Sequence, residues 1–154
     1  MSTSIETSVV NFIEPAIAVA SGSGSPLDGI DAHHTPYQVY LVDSGVSVLV
    51  HSADVSLTAD ASDVGEFNGV LPIVCYSRVI GKDKTARHAA RDKADAIYKA
   101  IAKLIFDDPT IGGAVIYSRP LKVQGGWDVE KGQTYMAVTF ELHFNDLTND
   151  LNEE

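Results

Sequence analysis

The residues of this chain best suited to chemistry are two adjacent histidines, His33 and His34, beside Asp31. Imidazole and carboxylate groups are common ligands of zinc, iron and manganese. Adjacent histidines in a loop chelate weakly, however, and the sequence contains neither an H-x-x-x-H nor an H-E-x-x-H spacing. We therefore predict a surface loop and no metal. A small metal-dependent enzyme or ligand-binding domain built on these three residues is the alternative from a different class.

Nucleophilic catalysis would need an activated serine or cysteine with a histidine and an acid within reach. Cys75 is the only cysteine, and it lies in an apolar run where a thiol usually behaves as a small buried hydrophobic group. No G-x-S-x-G motif occurs, and the glycine pairs at 112–113 and 125–126 match no phosphate-binding pattern. The sequence thus predicts no catalytic residue, no cofactor and no enzymatic activity.

Charge is distributed unevenly along the chain. Lys and Arg number 11 against 21 Asp and Glu, which gives a net charge of -10. Every Lys and Arg lies at position 78 or later. Residues 1–77 contain nine acids and therefore carry a charge of -9, whereas the remainder carries -1. A broad phosphate-binding surface is not expected on such a chain, and nucleic acid is not predicted to be a tight partner.

Seven of the 11 bases fall between Lys82 and Lys103, in a segment with helical spacing of its apolar residues. The apolar positions are Ala86, Ala90, Ala94, Ile97, Ile101 and Leu104. They predict an amphipathic helix over about 84–106, ended by the Asp-Asp-Pro sequence at 107–109. Its bases are either solvated, with local pairs such as Arg91 with Asp95, or they meet the acidic first half of a neighbouring copy.

Trp127 is the only tryptophan, and it lies between Gly125-Gly126 and Asp128. This context predicts a loop between two strands. The indole either closes one end of the core or anchors a contact between subunits, where tryptophan is enriched. The candidate subunit-interface residues are Lys84, Arg87, Arg91, Trp127 and Asp128.

The remaining patterns predict one domain over residues 1–154, of the α+β class. Its antiparallel or mixed sheet has about four to five strands, with two helices packed on it. A helix is expected over 3–20, kinked or broken at Pro15. Strict alternation predicts a strand over 134–144 with its even-numbered side chains in the core. Other strands are expected at 37–42, 46–50, 70–79 and 114–123, long loops at about 21–36 and 52–69, and a frayed tail at 145–154.

The chain has no apolar stretch of the length a membrane span needs, and no Lys or Arg in its first ten residues. We therefore expect no membrane segment and no secretion signal.

The order of elements from Val70 to Phe144 is itself informative. A strand with the sequence LPIVCYSRV precedes an alanine-rich helix. The helix is followed by a strand that ends in SRPLKV, a glycine-bearing loop and the alternating strand TYMAVTFELHF. The most specific piece is ADAIYKAIAKLIFDDPTIGG, residues 94–113. In this order and spacing, about half of the chain resembles the tail terminator, or tail completion, proteins of long-tailed bacteriophages. Residues 21–69 depart from that pattern, since the linker and extra hairpin are longer.

The resemblance implies a structural protein of the virion tail or neck, made in the host cytoplasm. It implies a homo-oligomer, a hexameric ring on the last ring of the tail tube protein, which stops tube growth and offers a docking surface to the head-tail connector or stopper protein. It implies no enzymatic activity. DNA would pass through the ring without tight binding, as an acidic lumen would allow. Another head-to-tail connector component and the tail tube subunit itself are the alternatives within this class.

Overall fold

The structure, a computed structural model, describes residues 4–34, 46–51, 53–58 and 66–147 of the chain. It contains two helices, α1 (Ile5–Ala20) and α2 (Lys84–Asp107). The strands are β1 (Asp31–His34), β2 (Val46–Val50), β3 (Asp54–Thr58), β4 (Glu66–Ile80), β5 (Tyr117–Glu130) and β6 (Gln133–Leu147). This arrangement confirms the predicted α+β class with two helices.

The strands form one mixed sheet in the order β1-β2-β4-β6-β5, with β3 also paired to β4. Its central part, β2-β4-β6-β5, is antiparallel, and only β1 runs parallel to its neighbour. Strands β4 and β6 pair over their whole length, from Glu66 opposite Leu147 to Ile80 opposite Gln133. Strand β5, which contains Pro120, pairs with β6 alone and is an edge of the sheet, the position in which proline is tolerated.

Both helices pack on the same face of the sheet. The even-numbered residues of β6 from Thr134 to Phe144 are all buried, which confirms the alternation predicted from the sequence. Their neighbours on β4 and β2, among them Ile73 and Val48, share one core with Val9 and Ile13 of α1 and with α2. The result is a two-layer structure, with helices on one face of the sheet.

The composition of α2 determines how closely it approaches the sheet. The helix begins after Asp83, whose carboxylate accepts the N–H of Ala86 at 2.9 Å, and it ends at the predicted Asp-Asp-Pro sequence. Its first half buries only alanines, so the Ser77 hydroxyl of β4 can donate to the carbonyl of Ala90. Its second half buries Ile97, Ile101, Ala102 and Ile105, whereas Leu104 is only partly buried. Small side chains therefore bring the beginning of α2 close to β4 and β6.

Helix α1 is continuous through Pro15, so of the predicted kink or break at this residue the break is wrong. Proline removes one hydrogen bond, to the carbonyl four residues earlier. Both Pro15 and Asn11 lie on the exposed side of α1, where solvent can satisfy that carbonyl. The buried residues Val9, Val10 and Ile13 hold the opposite side against the sheet.

The segments predicted as loops contain strands. Strand β1 lies within 21–36, and β3 and the start of β4 lie within 52–69. Strand β6 continues three residues past Phe144, into the predicted tail. These extensions exist because their partners lie elsewhere in the chain: Gly69 pairs with Phe144, and β1 pairs with β2. Residues 46–50 form β2 as predicted, and the predicted partner strand at 37–42 lies outside the described residues.

Strand β5 begins at Tyr117, later than predicted, because turns occupy residues 109–114. The Asp108 carboxylate organises them by accepting hydrogen bonds from the Thr110 hydroxyl at 2.6 Å and the N–H of Gly112 at 3.1 Å. These hydrogen bonds lower the pKa of Asp108 from its usual value, and the bond from the Thr110 side chain contributes most. After α1, the N–H groups of Gly22 and Gly24 lower the pKa of Asp28 in the same way.

Candidate functional site

A groove on the surface lies where the first three turns of α2 pass the end of β5. Its lining comprises Lys84, Arg87, His88, Arg91, Trp127 and Met136, and its volume is about 360 Å³. We call it the basic–aromatic groove. It brings together four of the five residues predicted from the sequence to form a subunit interface.

Trp127 lies in strand β5 and not in a loop, so that prediction is wrong. It pairs with Met136 of β6 and therefore shares the face of the sheet that the helices cover. Met136 is 4% exposed, whereas Trp127 at the sheet edge is 56% exposed. The chain thus presents a large aromatic surface to its surroundings beside a buried thioether.

The guanidinium of Arg87 lies over the indole ring of Trp127, with 5.1 Å between its Cζ atom and the ring centroid. A cation at this distance is attracted by the face of the ring. The contact fixes the position of both side chains at the surface. It also explains why an arginine at position 87 differs from a lysine: only the planar guanidinium can stack on an indole and still offer N–H groups to a second ligand.

Lys84, Arg87 and Arg91 follow one another at spacings of three and four, which places them on one side of α2. None of the three forms an ion pair with another residue of the described part of the chain. The predicted pair of Arg91 with Asp95 is absent, because Asp95 binds Lys99 at 3.0 Å instead. The groove therefore carries three cations whose charge no described carboxylate neutralises by direct contact.

The Nε atom of Arg87 is buried and has no acceptor among the described residues. A buried donor without an acceptor typically costs about 1–3 kcal/mol. The Nη groups of Arg87 are not buried in this way, so they are the donors that a second molecule can reach. A carboxylate is the natural ligand, since it accepts two parallel N–H bonds from one guanidinium.

Asp128, the fifth predicted residue, lies apart from the groove. It pairs with Tyr135 on the opposite face of the sheet, and its carboxylate accepts the N–H of Val129 at 2.8 Å. Two further residues of the groove were not predicted from the sequence. Met136 was assigned to the core alone, and His88, four residues after Lys84 on α2, could have been found from helical spacing.

The other candidate chemistry finds no support in the described residues. The backbone of Asp31, His33 and His34 forms strand β1, and their side chains lie outside what is described. Among the described residues no group of three histidines, cysteines or carboxylates could hold a metal ion. Gly112 and Gly113 belong to the turns after α2, and Cys75 is buried in the core. Within the described part of the chain, no helix has the length and apolarity required to cross a membrane.

Comparison with known proteins gives a distant structural likeness. No protein-family model matches the chain, and no curated protein matches it. Among solved structures, it is similar to a chain of the virion of a native gene transfer agent particle, at 13% sequence identity and a TM-score of 0.49. The match covers 92% of this chain and 94% of that chain. What this protein does must therefore be inferred from its own residues and surface.

Proposed function

We propose that this chain is a structural protein of a phage-like virion, a tail terminator whose copies associate into a hexameric ring. The ring caps the tail tube and offers its other side to the head-tail connector. The observation that carries this proposal is the basic–aromatic groove: three cations that form no ion pair with the described carboxylates, and an exposed tryptophan, on a chain of net charge -10. Such a surface suits a partner that is itself acidic, and a second copy of the chain is one.

The geometry of the groove favours a head-to-tail contact over a symmetric pair. A two-fold contact would place the cations of one copy against the cations of the other, which is unfavourable. A contact between the groove and a different, acidic surface of the next copy avoids this. Contacts of that kind repeat around a ring when the rotation closes.

The order of the elements supports the same proposal. The resemblance noted in residues 70–144 implies a strand, a helix and two further strands, and the chain has β4, α2, β5 and β6 in this order. The sheet they form leaves β5 as an edge that carries the exposed side chains of Leu121, Val123 and Trp127. An edge strand of this kind is available for contact with neighbouring subunits.

The acidic charge suits a ring through which DNA moves. A basic channel would hold the duplex by neutralising its phosphates, whereas an acidic one repels them and lets the duplex slide. In this proposal the protein has no enzymatic activity, needs no cofactor and does not bind DNA tightly.

The test is the state of assembly of the purified chain, alone and with tail tubes, by light scattering and electron microscopy. We expect rings that cap tube ends and stop their growth. Reversing the charge of two groove residues, Arg87→Glu with Arg91→Glu, should abolish the rings and leave the circular dichroism spectrum unchanged.

The matched control is Lys93→Glu with Lys103→Glu, which changes the net charge equally on exposed positions of the same helix outside the groove. This control should assemble as the natural chain does. Long filaments formed by the natural chain alone would identify a tube subunit instead. A chain that stays monomeric and fails to cap tubes would overturn the proposal.

A further inference from the structure

The basic–aromatic groove defines the chemistry of what fills it. Lys84, Arg87 and Arg91 surround an apolar surface made by Trp127 and Met136. A complementary ligand therefore has several carboxylates close together and a hydrophobic side chain among them. Lys84 and Arg91 are exposed and Arg87 is half-buried, so a ligand that meets all three would lie along the groove.

The described acids in the first half of the chain fit this requirement poorly. The Glu6 carboxylate accepts the N–H of Ala53 at 3.0 Å, and Asp28 accepts those of Gly22 and Gly24. Glu14 is exposed but isolated on α1. Of the acids in this half whose side chains are described, only Glu14 and Asp54 accept no hydrogen bond from a described residue, and they lie on different elements, α1 and β3.

Residues 148–154, with the sequence TNDLNEE, meet the requirement. They contain Asp150, Glu153 and Glu154, no base, and Leu151 in their midst. Three carboxylates and one leucine match three cations and one apolar surface. Residues 148–154 directly follow β6 in the sequence.

The length of β6 determines whether residues 148–154 can reach the groove of their own chain or only that of another copy. Met136 lies at the groove, and the eleven residues from there to Leu147 extend over about 37 Å of strand. Residues 148–154 span at most about 25 Å when fully extended. They therefore cannot reach the groove of their own chain, and only another copy can receive them.

We propose that residues 148–154 of one copy bind in the basic–aromatic groove of the next copy. This inference rests on the proposed assembly and names its contact. A carboxylate of the segment pairs with the Nη groups of Arg87, and Leu151 packs against Trp127. Each copy gives its segment to one neighbour and receives a segment from the other, which is the head-to-tail arrangement a ring requires.

A peptide titration tests the contact apart from assembly. The host is the full chain with a neutralised segment, Asp150→Asn, Glu153→Gln and Glu154→Gln, and the ligand is the peptide TNDLNEE, acetylated and amidated so that its charge comes from side chains alone. Because Trp127 is the only tryptophan, its fluorescence reports binding directly. We expect a saturable change that weakens about tenfold for the neutral peptide TNNLNQQ or for a host that also carries Arg87→Gln. No change up to millimolar peptide, or equal binding of both peptides, would overturn the inference.

An exchange of charges tests the contact within the assembly. One chain carries Arg87→Glu and Arg91→Glu, and the other carries Asp150→Lys, Glu153→Lys and Glu154→Lys. Neither should form rings alone, and an equimolar mixture should restore them, because every groove then meets a segment of opposite charge. A mixture that stays monomeric would contradict the inference.

The two proposals fail in distinguishable ways. If the natural chain and the chain with the neutralised segment form rings equally well, the ring stands and this contact is wrong. If the peptide binds as expected and the natural chain forms no ring, the contact stands and the proposed function is wrong.

Discussion

Gly69 shows how much one residue can depend on its opposite strand. It lies in β4 opposite Phe144 of β6, and a Cβ atom built on it would overlap the Phe144 ring at Cζ, Cε1 and Cε2. Phe144 is 2% exposed and belongs to the core, so its ring has little room to move. Glycine at this position therefore allows the aromatic side chain to cross the strand.

We predict that Gly69→Ala destabilises the chain by about 1–3 kcal/mol, the usual cost of forcing extra volume into a packed core. Urea unfolding followed by circular dichroism measures this. The control is Gly126→Ala in β5, where nothing lies within 4 Å of the added Cβ, and it should change the stability little. Equal stability of the two variants would contradict the proposed overlap.

The reactivity of the Cys75 thiol measures how well the core excludes solvent at a single residue. Burial raises the pKa of its thiol, because the thiolate would lose its hydration in the core. Since the thiolate is the reactive form, we predict that the native chain does not react with a disulfide reagent and reacts fully once unfolded in urea.

A control chain with Cys75→Ala and Ser21→Cys places the thiol at the exposed end of α1, where it should react at once. Rapid labelling of Cys75 under conditions where the circular dichroism spectrum is native would show that the sheet opens at β4.

At the scale of the element, α2 has the sharpest boundaries. Asp83 accepts the N–H of Ala86 at 2.9 Å and satisfies one of the free donors of the first turn. We predict that Asp83→Ala lowers the free energy of unfolding by about 1 kcal/mol, as removal of such a cap usually does. Asp92→Ala, an exposed position in the middle of the same helix, should cost much less. Chemical denaturation of both variants measures the two changes in the free energy of unfolding, and equal changes would contradict the prediction.

Elements with strong periodicity were predictable, and those made by distant pairing were not. Helix α2 and the core face of β6 follow from spacing in their own sequences. Strands β1 and β3 are short, and they exist because β2 and β4 offer hydrogen bonds to them. Trp127 was placed in a loop because two glycines precede it, yet pairing with β6 keeps residues 124–130 extended after the irregularity between Leu121 and Gln124.

The groove was predictable only in part, for a related physical reason. Helical spacing alone brings Lys84, Arg87 and Arg91 to one side of α2. The sequence could not show that Trp127 would meet Arg87, because that contact depends on the register of β5 against β6. The same register moves Asp128 to the opposite face. A change of register by one residue would exchange the two side chains.

At the scale of the whole molecule, the forces that fold the chain differ from those proposed to assemble it. Folding buries a core of aliphatic and aromatic side chains, and the ion pairs Lys99 with Asp95 and Lys103 with Asp107 lie at the surface. The proposed assembly instead joins cations of one copy to carboxylates of the next across a surface that solvent reaches. Salt screens charges over about 10 Å at 0.1 M and about 3 Å at 1 M, and it leaves apolar burial intact.

We therefore predict that raising the NaCl concentration from 0.1 to 1 M dissociates the rings while the circular dichroism spectrum at room temperature stays that of the folded chain. Sedimentation velocity measures the first and circular dichroism the second, on the same samples. Replacing NaCl by sucrose is the control, because it adds solute without screening charge and should leave the rings intact. Rings that persist unchanged at 1 M NaCl would mean that apolar contacts, such as those of the β5 edge, hold the copies together. The cations of α2 would then serve another partner.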